Sequence, residues 1–500
     1  MNHGLILPII VPLLVGALLL SWYGMPLRCK RVISLLATWA LLPLSLWLAV
    51  QADDGVLQVY ALGNWQAPFG IVLLLDRLAA LMLVVTAVLA GFVVLYAIRG
   101  DDDRETNFHA LLQFQLLGIN GAFLTGDLFN LFVFFEILLI ASYSLLVYGG
   151  GARRVKAGTH YVVLNLVGSA LFLIGVGMLY GLLGTLNMAD LAVEVAAADV
   201  DRQPLLAAAG YLLMVVFALK AALLPLYFWL PGAYSAATAP VAALFAIMTK
   251  VGLYALIRVF TLIFGSAAGE LENLIQPLLW PLALLTLAAG VIGALAARSL
   301  PRLIGYLVVV SVGTLMAGFA IGTPQSLSAT LFYLVHSSWI CAALFLLSDL
   351  LARQRGELGA RLRKGPQLLR PLLLGGAFFV AAISVAGLPP FSGFIGKLML
   401  LHAAQNAGQA VALWPLVLVG GLLTVVALAR AGSVLFWRAT DEPAPSAEFD
   451  RVRCLAALGL LTCSVLLVIL AQPVQDYVQA TAAQLLDLQP YLQIVRGGGA

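Results

Sequence analysis

The chain has 500 residues, 62% of them hydrophobic and only 10% charged, against roughly 45–50% apolar and about 25% charged in ordinary soluble domains. With a mean hydropathy of +1.03, it reads as an integral membrane protein and not as a soluble enzyme, a nucleic-acid binder or a disordered scaffold. The 27 Lys and Arg against 23 Asp and Glu leave too small an excess to mark a polyanion partner, so only the placement of charge along the chain is informative.

Apolar stretches bounded by charges, Gly or Pro predict fourteen spans, at about 4–22, 32–51, 71–98, 108–125, 128–148, 160–184, 205–228, 235–262, 274–297, 301–322, 326–351, 371–404, 411–437 and 452–472, each near the ~20 residues of a membrane crossing. The first, in MNHGLILPIIVPLLVGALLL, lacks the basic n-region of a signal peptide and reads as a retained helix. Residues 472–492 are amphipathic and are expected along the outer interface. Cys29, Cys341, Cys454 and Cys463 are scattered without CxxC spacing, so no iron–sulfur, zinc or disulfide framework and no cofactor is expected.

Lys and Arg gather on the cytoplasmic side of membrane proteins. Here the loops after odd-numbered spans carry Arg28, Lys30, Arg31, Arg99, Arg104, Arg153, Arg154, Lys156, Arg298, Arg302, the run from Arg353 to Arg370, Arg438, Arg451 and Arg453. The opposite side holds only Arg202 and Arg496. Both termini are therefore expected to face outward.

Six cations remain inside or at the edges of spans: Arg77, Lys220, Lys250, Arg258, Lys397 and Arg430. A charge at mid-bilayer costs about 2.5–3.5 kcal/mol on insertion scales unless its side chain snorkels to the interface. Arg77, beside Asp76, and Arg258 and Arg430, near span ends, fit local pairing or snorkelling. Lys220, Lys250 and Lys397 do not reach water in that way. Among the acids, Glu136 lies deep in GDLFNLFVFFEILLIASYSLL, with Asp127 at the end of that helix. Desolvation disfavours a lone charge and a facing opposite charge restores it, so Glu136 and Lys220 are suited either to switching each other or to forming a static ion pair.

Two lysine spans are interrupted. FALKAALLPLYFWLPGAYSAATAP places Pro225 after Lys220, and ISVAGLPPFSGFIGKLML places Pro389, Pro390 and Gly393 before Lys397. Proline frees carbonyls, and irregular backbone at membrane depth is tolerated only inside protein or beside a wet cavity. Broken spans in both halves point to an inverted-repeat transporter. His336, in YLVHSSWICAALF beside Ser337 and Ser338, is suited to a proton relay or to hydrogen-bonded packing. Gly177 and Gly181 have the GxxxG spacing of close helix packing. No nucleophile triad, Walker loop or dinucleotide fingerprint is present in the sequence.

GDLFNLFVFFEILLIASYSLLVYG, ALKAALLPLYFWLPGAYSAATAPVAALFAIMTKVGLYALIRV and VAGLPPFSGFIGKLML together resemble the proton-conducting antiporter family that includes the antiporter-like subunits of respiratory complex I. The first string most resembles the D subunit of Mrp-type (Mnh or Pha) multisubunit cation/proton antiporters. The resemblance spans about residues 70–440. It implies an all-α polytopic fold of fourteen helices: residues 1–107 as three N-terminal helices, inverted five-helix repeats at 108–262 and 274–437, each with a broken helix, and a last helix and tail at 452–500. It also implies that Glu136 and Lys220 form a coupling pair, that Lys250 bridges, that His336 connects, and that Lys397 is the terminal lysine. Related subunits often carry a lysine about one turn after the histidine, where this chain has Ile340 and Cys341.

The function expected from this likeness is exchange of protons for Na+, with K+ or Li+ as alternatives, in a bacterial inner membrane, together with other subunits of a Mrp-type complex, as a secondary transporter and not an enzyme. The partners expected are those subunits, protons, monovalent cations and membrane lipid, with no nucleic acid. A proton-pumping subunit of a redox complex, such as NADH:quinone oxidoreductase or a membrane hydrogenase, uses the same relay. A solitary permease for an organic solute would instead need a polar midplane pocket.

Overall fold

A computed structural model describes residues 3–22, 24–65, 67–440 and 449–496. Helices dominate: α1 (Leu7–Ser21), α2 (Leu27–Asp53), α3 (Arg77–Ala97), α4 (Phe108–Leu124), α5 (Leu128–Val147), α6 (Ala152–Leu183), α7 (Met188–Ala196) and α8 (Gln203–Ala221). They are followed by α9 (Trp229–Ala236), α10 (Ala239–Phe245), α11 (Met248–Leu262), α12 (Gln276–Ala296), α13 (Leu300–Ile321) and α14 (Pro324–Arg353). The chain continues through α15 (Pro371–Ala386), α16 (Ser392–Asn406), α17 (Ala410–Gly432), α18 (Arg451–Ile469), α19 (Ala471–Leu486) and α20 (Gln489–Arg496). Among the described residues, twelve helical stretches are long and apolar enough to cross a membrane, and α4 and α15 are shorter apolar helices.

Helix starts follow local chemistry. Asp76 and Asp127 accept the backbone N–H of Ala79 and of Asn130, both at 2.8 Å, and Thr323 and Ser326, on either side of the leading Pro324, cap α14 reciprocally. Close helix approach depends on small residues. A Cβ on Gly118 would stand 2.6 Å from the Leu138 backbone of α5, and one on Gly313 2.4 Å from Leu287 of α12.

Several expectations need correction. Residues 72–75 belong to a strand, β2 (Val72–Leu75), paired antiparallel with β1 (Gln58–Ala61), so the third helix starts at Arg77 and not at 71; an unbroken apolar run did not distinguish the two. The helix expected at 235–262 is divided: its first residues complete α9, and α10 and α11 follow. Gly177 and Gly181 are exposed, with nothing within 4 Å of a built Cβ. On α6 it is Gly168 and Gly175 that admit Leu219 and Leu213 of α8. The amphipathic tail forms α19 and α20, which bury Val478, Thr481, Ala482 and Tyr491; α19 packs on α3, α11 and α14, and α20 packs on α7.

The edge cations are held by specific partners. Arg77 does not pair with Asp76. Its guanidinium donates to the Asp53 carbonyl and lies 3.8 Å from that carboxylate. Asp76 instead meets Arg258 at 2.6 Å, with both side chains buried, so Arg258 does not snorkel. Arg430 donates to the Ala297 carbonyl at 3.0 Å. Removing one partner of a buried pair leaves the other charge uncompensated, typically at a cost of about 3–5 kcal/mol. Asp76→Asn is therefore expected to lower the thermal unfolding midpoint in detergent markedly, and an unchanged midpoint would contradict the pairing.

At the other end of α3 the loop of residues 99–107 ties several helices together. Asp101 accepts Arg353 at 2.8 Å, Arg104 at 3.0 Å and Arg453 at 3.1 Å, while Asp102 meets Arg31 at 2.6 Å and His109 at 2.9 Å. Burial opposes ionisation of Asp102, yet hydrogen bonds from His109 and Arg31 hold its carboxyl down at about 2. The pairing therefore stabilises the fold above the ordinary carboxylate range and is lost only as pH falls towards that value.

Candidate functional site

The backbone break after Lys220 is built from sequence-local causes. α8 ends at Ala221, Ala222 adopts φ +64°, and Pro225 cannot continue the hydrogen-bond ladder. The freed groups find partners: the Leu224 N–H donates to Thr286 Oγ1 at 2.9 Å, and the Trp229 indole donates to the Leu219 carbonyl at 3.2 Å. Protein groups thus satisfy the break, as a segment at membrane depth requires.

The break before Lys397 has a different keeper. α15 stops at Ala386, Gly387 takes φ +84°, and Lys397 Nζ donates to the Ala386 carbonyl at 2.7 Å. The ammonium sits at the negative end of that helix, where a cation is favoured. Glycine is favoured at 387 by this left-handed φ, and a Cβ there would also lie 2.5 Å from Lys397 Cδ. Gly393 meets a similar demand: its Cβ would lie 2.0 Å from the Ser384 carbonyl oxygen and 2.8 Å from His336 Nε2.

Glu136 and Lys220 do not touch as an ion pair. Ser169 Oγ donates to Glu136 Oε1, and Lys220 Nζ donates to Asn165 Oδ1 at 3.1 Å. Asn165 and Ser169 are one turn apart on α6, so both charged groups rest on a single polar stripe. Asn165 is fixed in turn, its amide nitrogen donating to the Tyr161 carbonyl at 2.8 Å. Lys220 is buried, whereas Glu136 is half-buried. Beside Lys220 a cavity of about 10 Å³ is lined by Asn165, Tyr161 and Met248 among others, room for about one water. Met248 leads to Lys250 two residues on.

Lys250 is 0% exposed and donates to Ser311 Oγ on α13 at 3.3 Å. His336 on α14 is also 0% exposed. Its Nδ1 hydrogen-bonds Ser392 Oγ at 2.9 Å, and Ser464 Oγ of α18 stands 2.9 Å from Ser392 and 3.0 Å from Ser384. The neighbours singled out from sequence, Ser337 and Ser338, bond back to the Leu334 carbonyl and not to the imidazole. His336 Nε2 has no partner among the described residues.

The structure thus lays the five predicted residues, Glu136, Lys220, Lys250, His336 and Lys397, on α5, α8, α11, α14 and α16, with neutral polar groups between several of them. Sequence reasoning missed Asn165, Ser169, Ser311, Ser392 and Ser464. Their only signal was polarity within apolar spans, which many packing serines share. Among the described residues, no group of three His, Cys, Asp or Glu side chains is placed to hold a metal ion.

Fold and site define a polytopic helical membrane protein with ionisable groups strung through its interior. The family model described as NADH:quinone oxidoreductase/Mrp antiporter, TM, matches residues 125–424, and the chain belongs to that family. It is 42% identical to the D subunit of a probable K(+)/H(+) antiporter of Rhizobium meliloti (strain 1021), over 97% of this chain and 96% of the relative. It is 40% identical to the D subunit of a Na(+)/H(+) antiporter of Bacillus subtilis (strain 168), over 99% of each. A chain in the solved Mrp complex from Dietzia sp. DQ12-45-1b superposes with a TM-score of 0.90 at 28% identity, covering 99% of this chain and 100% of that one.

Proposed function

We propose that this chain is the proton-translocating subunit of a multisubunit antiporter that exchanges protons for Na+, K+ or Li+ in a bacterial inner membrane, with other Mrp-type subunits as partners. It is a transporter subunit and not an enzyme. The observation that carries this reading is the series of ionisable groups inside the helices, half-buried Glu136 and buried Lys220, Lys250, His336 and Lys397, set beside two helix breaks and a histidine whose Nε2 has no partner among the described residues. Protons pass from Glu136 through Lys220 and Lys250 to His336 and Lys397, with Lys397 exchanging them at one surface. The names of the full-length relatives support cation/proton antiport over a redox-driven pump.

The same reading assigns fourteen crossings, counting α4 and α15 with the longer spans, in the order of an N-terminal unit 1–107, inverted repeats 108–262 and 274–437, and a final unit 452–500. The breaks between α8 and α9 and between α15 and α16 occupy corresponding places in the two repeats. Basic loops lie inside and both termini outside.

Na+ and K+ require clustered oxygen ligands, and the interior offers protonatable nitrogens with few carboxylates. The purified chain alone in proteoliposomes is therefore expected to show no cation/proton exchange, whereas the reconstituted complex shows it. Exchange by the isolated chain would contradict the dependence on partners, and its absence from the complete complex would contradict the function.

A further inference from the structure

Between the two halves of the chain opens a cavity of about 1540 Å³. Seven Lys and Arg side chains line it, together with His160, and among the described residues no acidic side chain does. They come from α6 (Arg153, Lys156), from the loop between α12 and α13 (Arg298), from the start of α13 (Arg302) and from the loop after α14 (Arg361, Arg363), with Arg430 on α17. An inside-positive loop bias explains basic residues near one surface, but it does not explain why they converge on a concave space.

The cluster is built and not loosely gathered. The Leu362 N–H donates to the Arg298 carbonyl at 3.0 Å, and the Leu300 N–H donates to the Ala360 carbonyl at 2.9 Å, locking the two loops side by side. Buried Arg355 secures the fold of the second loop from behind, donating to the carbonyls of Gly359 at 2.9 Å, of Arg361 at 2.7 Å and of Arg363. Arg153 and Arg430 spend their hydrogen bonds on the Ser235 and Ala297 carbonyls. Lys156, Arg298, Arg302, Arg361 and Arg363 form no ion pair with any described residue. Their convergence on one concave space favours an anion there, and guanidinium forks match phosphate oxygens.

The cavity also has an apolar exit. Val163 lines it, and from there Leu166, Val167 and Ile174 continue along the outward face of α6, each about half exposed. We propose that this cavity binds the phosphate headgroup of an acidic phospholipid whose acyl chains lie along that face of α6, so that one lipid clasps both halves of the chain. Basic pockets between membrane helices on the inner side are suited to such headgroups. The site is separate from the proton path and stands or falls independently of it.

The test uses the intact complex, delipidated and then offered phosphatidylglycerol or phosphatidylcholine, with retained lipid read by native mass spectrometry. The wild type is expected to retain phosphatidylglycerol selectively. The combined variant Arg298→Gln, Arg302→Gln, Arg361→Gln and Arg363→Gln loses that retention to the phosphatidylcholine level, while Arg28→Gln, Arg438→Gln and Arg451→Gln together, on exposed residues, do not. A photoactivatable phosphatidylglycerol on the wild type gives a readout free of any folding defect, with adducts expected on α6 near residues 153–174. Equal retention of both lipids, adducts confined to other helices, displacement of the lipid by millimolar inorganic phosphate, or occlusion of the cavity by an acidic segment of another subunit would each overturn the proposal.

Discussion

Glu136→Ala and Lys220→Ala are each expected to abolish cation/proton exchange in vesicles carrying the full complex, while assembly stays largely intact. Each removes one of the two charged groups that face α6 through Ser169 and Asn165. A positioned proton-transfer group typically contributes about 10²–10⁴-fold to rate, so residual exchange should fall below the detection limit of a dye-quenching assay. Because Glu136 and Lys220 form no direct ion pair and each hydrogen-bonds a neutral partner on α6, the loss should fall on activity before stability. Glu136→Asp keeps the carboxylate and should retain part of the exchange. Full activity in either alanine variant, at matched protein level, would remove this pair from the mechanism.

The second large effect concerns the two remaining lysines. Lys250→Met and Lys397→Met keep the apolar stem and lose the exchangeable proton, and each is expected to reduce exchange by about 100-fold or more. Arg430→Met, whose guanidinium serves a carbonyl at the end of α12, should leave exchange near normal. The contrast is diagnostic because a buried lysine retained only for packing tolerates methionine well. Lys397 carries a structural duty too, since it satisfies the Ala386 carbonyl at the break. A matched measurement of assembly for Lys397→Met separates that duty from proton transfer, and normal assembly with lost exchange is the expected result. Lys250, bonded to a serine hydroxyl alone among the described residues, has no comparable structural duty.

The lysines and their helix breaks were legible in the sequence because a buried charge and a proline are both local signals that hydropathy alone isolates. The partners of those groups were not. Asp76 and Arg258 are 182 positions apart, and nothing in either segment names the other, so Arg258 reads as a residue able to snorkel until the fold closes the pair. Ser464 meets Ser392 from 72 positions away, on a helix whose sequence is otherwise an ordinary apolar span. Gly177 and Gly181 illustrate the opposite error: spacing identifies a face, but only packing decides whether that face is occupied, and α6 turns Gly168 and Gly175 inward instead. Local turn chemistry set most helix ends within a few residues. The strand before α3 escaped because four consecutive apolar residues fit a buried strand as well as a helix start.

A proton path through the middle of the chain is tested most directly by proteoliposomes of the purified complex, loaded with a pH-sensitive dye, given a sodium gradient and compared between wild type and Lys250→Met. The wild type should show rapid sodium-driven proton movement, and Lys250→Met, equally assembled, should show none above the protein-free leak. Wild-type proton flux through the Lys250→Met complex would contradict the path.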